Sequence, residues 1–235
     1  MRKSCLTIVA LLGLPAALGC GGRPDTPLMA AAVRGDTAAI EQLVAGGADI
    51  DSTASRQTCR GCTALMGAAR NGQADAIRML LKLGANAETV DAGMSGWTAL
   101  VHAIHKNQAG AVRALLDGGA DPDHAVDEHQ FTALMMAAGY GYTGIVELLL
   151  EKGANPRKTS IGGFTALVAA VRGTPDIDRF TVGSCQTTTV KALLRAAPDL
   201  KLPDNSFGKT ARWASWFGRC TEVEKLLASA GSQGR

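Results

Sequence analysis

The stretch FTALMMAAGYGYTGIVELLLEKGANP, residues 131–156, decides the fold because it encodes two short helices and the turn between them. Thr132 is placed to cap the first helix, since its hydroxyl can accept a hydrogen bond from a first-turn backbone N–H. Leucine and small alanines then form a face that a second helix can approach closely. The apolar run 145–150 is the second helix, and Gly153 lies just past its end, where a left-handed residue ends a helix. The stretch therefore predicts one helix–turn–helix unit.

The same phrase recurs along the whole chain. Threonine, then alanine or proline, then leucine begins at Thr26, Thr63, Thr98, Thr132 and Thr165, and a degraded copy begins at Thr210. Successive threonines are 33 to 45 residues apart. Gly-Ala-Asp or Gly-Ala-Asn ends four copies, at 47–49, 84–86, 119–121 and 153–155. A fixed period in this range is typical of stacked repeats, so the sequence predicts an all-α solenoid of about six helix pairs with extended loops.

These motifs resemble the ankyrin repeat, whose signature is a turn, a Thr-Pro-Leu-His-x-Ala-Ala helix and a second helix that ends in Leu-Leu-x-x-Gly-Ala-Asp/Asn. The resemblance covers residues 25–230. One departure is systematic, because the family's histidine is replaced by Met29, Met66, Val101, Met135 and Val168. We therefore expect packing to hold the loops more than side-chain hydrogen bonds do.

The last two repeats depart from the pattern. In repeat five, residues 173–187 are inserted between the two helices. Repeat six, residues 208–230, is expected to cap the C-terminal end of the stack, with Trp213, Trp216 and Phe217 covering the open end.

Both ends of the chain lie outside the repeats. Residues 1–19 have a basic start followed by a short apolar run, which predicts a signal peptide and export to the bacterial periplasm or membrane. The ending Ala17-Leu18-Gly19-Cys20 resembles a lipobox, so Cys20 is expected to carry a lipid anchor on a tether of residues 20–24. Ordinary signal cleavage after Gly19 is the alternative. Residues 231–235 are expected to be a disordered tail.

Charge and motifs exclude several classes of function. Without Arg2 and Lys3, the 24 basic residues fall to 22 against 21 acidic ones, which is too balanced for a nucleic-acid partner. Phosphate-loop, serine-hydrolase and zinc-protease motifs are all missing from the sequence. His102 and His105 could share a helix face, but zinc sites use three or four protein ligands. The sequence therefore predicts no catalytic residues, cofactor, metal or small-molecule substrate.

Four cysteines remain after Cys5 and Cys20 are set aside: Cys59, Cys62, Cys185 and Cys220. An even number in an exported chain indicates disulfides. The repeat resemblance places Cys185 and Cys220 in equivalent turns of neighbouring repeats, so it implies a Cys185–Cys220 bond and leaves Cys59 to pair with Cys62. The Cys59/Cys62 pair has two alternatives, a redox-active dithiol and half of a zinc site.

In the ankyrin family, the loop tips and the exposed face of the first helices form the recognition surface. The resemblance implies a partner-binding role for Trp97, His102, His105, Phe131, Met136, Tyr140 and Phe164. An aromatic directly before a repeat threonine also packs the loop on the helix in this family, so both interpretations stay open for Trp97, Phe131 and Phe164. Met136 and Tyr140 are the stronger candidates, because the repeat pattern requires no bulk there.

These patterns predict a binding protein and not an enzyme. The expected function is to dock a protein partner in the bacterial envelope and to inhibit or protect it. The alternative is a thiol–disulfide redox protein that uses Cys59 and Cys62.

Overall fold

The computed structural model describes residues 26–54, 61–93, 96–126, 129–173, 186–218 and 220–232. Within these ranges the chain forms twelve α-helices in six pairs, and its only β pairing is two isolated bridges. The first helices are α1 (Pro27–Arg34), α3 (Ala64–Arg70), α5 (Ala99–His105), α7 (Ala133–Tyr140), α9 (Ala166–Arg172) and α11 (Ser206–Phe217). The second helices are α2 (Thr37–Ala45), α4 (Ala74–Lys82), α6 (Ala109–Asp117), α8 (Thr143–Glu151), α10 (Thr187–Ala196) and α12 (Thr221–Ser232). The predicted all-α solenoid is confirmed.

Two layers of helices share one elongated core. Each first helix packs on the first helix of the next repeat, and the second helices form a parallel row of their own. Fully buried alanine pairs line the first helices, for example Ala137 with Ala138. Branched aliphatic side chains fill the other layer, for example Ile77 and Leu149. Small residues on one side and larger ones on the other let the layers approach closely and fill the space between them.

Four of the six repeat threonines cap a first helix as predicted. Thr98 makes no cap bond, and the prediction for Thr210 is wrong. The hydroxyls of Thr26, Thr63, Thr132 and Thr165 each accept the backbone N–H three residues on. Thr98 has the same extended backbone, but its side chain makes no cap bond. Repeat six begins earlier than predicted, because Asn205 caps α11 by accepting the Gly208 N–H at 3.0 Å. Thr210 therefore lies inside α11 and not at its start.

The predicted ends of the second helices are also present. Glycine has φ between +89° and +97° at four equivalent positions, which are Gly47, Gly84, Gly119 and Gly153. A side chain is strained in this left-handed region, so glycine is the residue that can turn the chain from helix into loop at each repeat.

Carboxylates after the first three Gly-Ala-Asp/Asn tails join neighbouring repeats. Asp51 accepts the backbone N–H of Asn86 at 3.1 Å. Glu88 accepts the N–H of Asp121 at 2.9 Å. Asp123 accepts the N–H of Asn155 at 3.0 Å. We call this series the loop ladder; it fixes the distance between successive loops.

The C-terminal end differs from expectation. Trp216 is 70% exposed and Trp213 is 58% exposed, so neither covers the end of the stack. α11 packs on α9, and its buried positions are small, such as Ala211 and Ala214. That packing turns the two indoles outward. α12 extends through Ser232, two residues into the segment expected to be a disordered tail.

Several predicted features lie outside the described residues: the signal peptide, Cys20 with its tether, Cys59 and Cys185. Among the helices that the structure describes, none has the length and apolar character needed to cross a membrane.

Candidate functional site

Four aromatic side chains form a continuous series across repeats three and four. The ring centroids of Trp97 and His105 are 5.1 Å apart, those of His105 and Tyr140 are 6.1 Å apart, and those of Tyr140 and Tyr142 are 5.2 Å apart. His105 Nδ1 and the Tyr140 hydroxyl are joined by a hydrogen bond of 3.1 Å. All four side chains are half-buried. We call Trp97, His105, Tyr140 and Tyr142 the aromatic row.

The geometry of the aromatic row suits protein recognition. The rings of Trp97, Tyr140 and Tyr142 pack partly on the core, and each leaves another part accessible. Tyrosine and tryptophan combine a large apolar body with a polar group, so they can bury area and still hydrogen-bond a partner. The tilted ring contacts restrict the side chains before a partner binds, which reduces the conformational entropy lost on docking.

Two other predicted partner-binding aromatics belong to a separate packing series. The rings of Phe131 and Phe164 stack with centroids 5.2 Å apart, and Phe164 meets Phe207 edge-on at 5.3 Å. Phe131 is half-buried against the core, whereas Phe164 is buried. These contacts favour the packing interpretation that the sequence left open for both residues.

Three predicted surface positions are buried instead, which corrects the expected recognition surface. Met136 is 8% exposed, because α7 is enclosed between α5 and α9 and this side chain joins the core. Phe164 is buried in the series just described. His102 is buried because it pairs with a carboxylate below the surface. Of the seven predicted positions, Trp97, His105, Phe131 and Tyr140 keep exposed surface.

His102 belongs to a buried polar cluster that the sequence reasoning missed. Its Nε2 lies 2.8 Å from Asp91 Oδ2. The Cys62 sulfur, one carboxylate oxygen of Asp91 and one ring nitrogen of His102 all lie within 4.8 Å of one another. The three side chains are at most 3% exposed. We call Cys62, Asp91 and His102 the Cys62 cluster.

Three different segments bring this cluster together. Cys62 directly precedes the capping residue of α3, and His102 lies on α5. Asp91 lies in the loop between α4 and α5, where its N–H donates to the Trp97 carbonyl at 3.0 Å. The cluster also touches the aromatic row, because the Trp97 and His102 rings meet edge-on at 5.5 Å.

Cys62 and Cys220 are both disulfide-bonded. The predicted partners, Cys59 and Cys185, lie outside the described residues, so the pairing stays a prediction. A disulfide sulfur is not a thiolate, and the thiolate is the form of cysteine that binds metal ions. The oxidised Cys62 cluster therefore has two ligand side chains for a cation, the imidazole and the carboxylate.

Helix pairs that stack on one another, with hydrogen bonds between successive loops, define a helical-repeat protein. The family model described as "Ankyrin repeats (3 copies)" matches residues 3–91 and 83–160. The chain therefore belongs to the ankyrin-repeat family.

Solved structures include proteins that are similar over most of the chain, and one example illustrates the likeness. It is an ankyrin repeat domain from Acinetobacter baumannii AYE, with 28% sequence identity and a TM-score of 0.70. The match covers 87% of this chain and 97% of that chain. No curated protein matches this sequence.

Proposed function

We propose that this protein is a non-catalytic protein-binding module that docks a partner on the aromatic row. The observation that carries the proposal is the continuous contact of Trp97, His105, Tyr140 and Tyr142 on the accessible side of repeats three and four. Membership of the ankyrin-repeat family supports it, because repeats of this kind generally serve protein–protein interaction.

Binding energy at protein interfaces is concentrated in a few aromatic and arginine anchors. Tyr140 meets this requirement best. Its ring is half-buried between His105 and Tyr142, and its hydroxyl is held by the His105 imidazole. A partner that covers Tyr140 therefore gains contact area without having to order a loose side chain.

The proposed setting is the bacterial envelope, where the protein would inhibit or protect its partner. This part of the proposal is supported by the sequence of residues 1–24, with its apolar export signal and Cys20. Metabolic labelling with palmitate tests the anchor. Label is expected on the wild-type protein and not on Cys20→Ser, and label that persists in the variant would rule out lipidation at Cys20.

Site-specific photo-crosslinking tests the docking surface. A photo-reactive phenylalanine analogue at position 140 is expected to capture one envelope protein. The same analogue at Trp216, a more exposed aromatic far along the chain, is the matched control. Capture of that protein from position 216 alone would contradict the proposed surface.

The captured protein can then be used to measure affinity. Tyr140→Ala is expected to weaken binding at least about tenfold, the loss typical of a hot-spot residue. Trp216→Ala is expected to leave the affinity unchanged. Equal affinities for wild type and Tyr140→Ala would contradict the proposal.

A further inference from the structure

We propose that the partner docked on the aromatic row presents an acidic segment of its chain, which lies over Arg34 and Arg70. We call these two arginines the basic flank. The basic flank extends the docking surface proposed above and rests on that docking function. It gives the partner a chemical character that the aromatic row alone does not define.

The basic flank lies in line with the aromatic row. α1, α3, α5 and α7 pack side by side in that order, and their last residues are Arg34, Arg70, His105 and Tyr140. Equivalent ends lie close together, because His105 Nδ1 and the Tyr140 hydroxyl are 3.1 Å apart. The turn after α3 reaches the end of α1, since the Gln73 side chain donates to the Val33 carbonyl at 3.2 Å. A partner that follows the first helices from the aromatic row towards the N-terminus therefore meets Arg70 and then Arg34.

The charged residues of the six first helices are arginine, lysine and histidine alone. None of these helices contains aspartate or glutamate. Five second helices contain acidic residues, among them Glu41, Asp75, Asp117, Glu147 and Glu222. In the described turns after α1, α3, α5 and α7, Asp36 is the single acidic residue, and its carboxylate accepts the Ala39 N–H. The docking surface is therefore basic and aromatic, whereas the second helices carry both signs of charge.

The cations of the two layers also differ in their partners. On the second helices, Arg78 Nη2 lies 2.6 Å from Asp75 Oδ1, and Arg113 Nη1 lies 3.8 Å from Glu151 Oε1. Among the residues that the structure describes, no carboxylate forms an ion pair with either arginine of the basic flank. These guanidinium groups can pair with an incoming carboxylate without breaking an existing ion pair. Charge placed in this way beside a contact area speeds association and selects partners of opposite charge.

Helix stability alone does not explain the basic flank. A cation at a helix C-terminus offsets the helix dipole, and its side chain can hydrogen-bond the last carbonyls. The Val33 carbonyl at the end of α1 already accepts a hydrogen bond from Gln73. α6 and α8 have the same dipole, yet they end with Asp117 and Glu151. The dipole therefore does not decide the sign of the charge at the helix ends of this protein.

An acidic polypeptide suits this surface better than a nucleic acid does. A bound single strand needs a basic groove along its whole length, because every nucleotide carries a phosphate. This surface is basic at the flank but presents the neutral rings of Trp97, Tyr140 and Tyr142 beside it. A polypeptide can place carboxylates at one end of a segment and apolar side chains at the other. Each arginine can then bind a carboxylate through two parallel N–H donors.

The spacing of the first helices sets the length of this segment. Packed helices lie about 8–10 Å apart, so the four helix ends from Arg34 to Tyr140 span roughly 30 Å. An extended peptide advances about 3.3 Å per residue, so about nine residues cover that distance. A peptide of about twelve residues is therefore long enough to contact both the basic flank and the aromatic row.

Selection from a peptide library tests the chemistry of the partner without requiring its identity. Phage-displayed peptides of about twelve random residues are selected on the full wild-type chain, and their affinities for its variants are measured. The test variant combines Arg34→Glu with Arg70→Glu. The matched control combines Arg78→Glu with Arg113→Glu, which makes the same change of charge on the second helices. Arg34→Gln with Arg70→Gln is a milder test variant, and circular dichroism checks that each variant is folded.

Peptides selected on the wild type are expected to be enriched in aspartate and glutamate relative to the unselected library. The Arg34→Glu and Arg70→Glu variant should bind them at least about tenfold more weakly, whereas the control variant should bind them as the wild type does. Both effects should be smaller at high salt. Selected peptides without acidic enrichment, no selected peptide at all, or equal weakening in the test and control variants would overturn the proposal. Competition by oligothymidylate as strong as that of the peptides would assign the basic flank to nucleic acid and would overturn it too.

The same peptides separate the basic flank from docking on the aromatic row. Tyr140→Ala should weaken their binding as well. If Tyr140→Ala weakens binding and reversal of the basic flank does not, the acidic segment is wrong and docking on the aromatic row stands. If reversal weakens binding and Tyr140→Ala does not, docking on the aromatic row is wrong.

Discussion

The first N–H groups of a helix have no acceptor within the helix, and the hydroxyl of a threonine at the helix start can accept one of them. Thr132 does this for Met135 at 3.3 Å, in a buried position where water has little access. Thr98 is buried at the equivalent position but makes no such bond. The same residue therefore contributes differently in two repeats of one chain.

Thr132→Ala is expected to lower the free energy of unfolding by about 1 kcal/mol, because it removes the cap of α7. Thr98→Ala removes no cap bond, so it should lower the free energy of unfolding by clearly less. Urea denaturation followed by circular dichroism measures both. Equal losses in the two variants would show that the hydroxyl acts through something other than capping.

Predictions for single residues were correct where the residues that interact are close to each other in the sequence. The caps and the left-handed Gly153 depend on residues within one turn, so the repeat pattern contains them. The burial of His102 depends on Asp91, which reaches it from a preceding loop. No periodicity shows that contact, and the Cys62 cluster was missed for that reason.

The loop ladder is the element-scale feature that holds successive repeats in register. Each carboxylate accepts a backbone N–H from the next repeat, and that N–H lies just past a second helix. A pair of charged side chains, Arg157 and Asp199, continues the series between repeats four and five. The tail side chains have a separate local role, because each accepts the backbone N–H two residues further on; the acceptors are Asp49, Asn86, Asp121 and Asn155.

Asp123→Ala is expected to destabilise the protein by about 1 kcal/mol, because the Asn155 N–H loses its acceptor. Asp123→Asn retains a side-chain oxygen and should recover most of the loss. Thermal denaturation of the two variants beside wild type measures the difference. Equal stability of Asp123→Ala and wild type would show that water replaces the carboxylate at no cost.

The Arg157–Asp199 pair should make stability depend on pH. The hydrogen bond from the Arg157 guanidinium lowers the pKa of Asp199 below its ordinary value of 3.8. Asp199 therefore adds stability above pH 3.8, and that contribution is lost as the pH falls through the lower folded pKa.

In urea denaturation, wild type should exceed Asp199→Asn in stability at pH 7, and this advantage should shrink as the pH falls below 3.8. High salt should reduce the advantage at pH 7, since the pair is exposed. Asp204→Asn removes a longer contact of 3.6 Å with Arg212 and controls for the change in net charge. An advantage that persists unchanged at pH 2 would contradict the assignment.

Prediction of whole elements from the sequence was accurate inside the stack and poor at its C-terminal end. A middle repeat has a neighbour on both sides, so its apolar pattern indicates directly which positions are buried. α11 has one such neighbour among the first helices. Its apolar residues need not all face inward, and the outward Trp213 and Trp216 could not be recognised as exposed from hydrophobicity alone.

At the scale of the whole molecule, the main contacts between the described helices join each repeat to the repeats beside it. Stability in such a chain is approximately the sum of each repeat's own stability and the interfaces with its neighbours. The sequence predicted this architecture because a single motif, repeated, specifies both the unit and the surface that joins one unit to the next. It did not predict which accessible aromatics meet, since the aromatic row combines residues from two repeats.

Hydrogen exchange should reveal this nearest-neighbour organisation. Leu149→Ala removes a fully buried side chain from α8 and is expected to lower the free energy of unfolding by about 2–5 kcal/mol. Amide exchange should then accelerate in α8 and in its neighbours α6 and α10 more than in α1 and α2. Val223→Ala, in the terminal helix α12, should accelerate exchange in α11 and α12 and leave α1 to α4 unchanged. If both variants accelerated exchange equally in all repeats, the chain would unfold as one cooperative unit, and the additive description would be wrong for this protein.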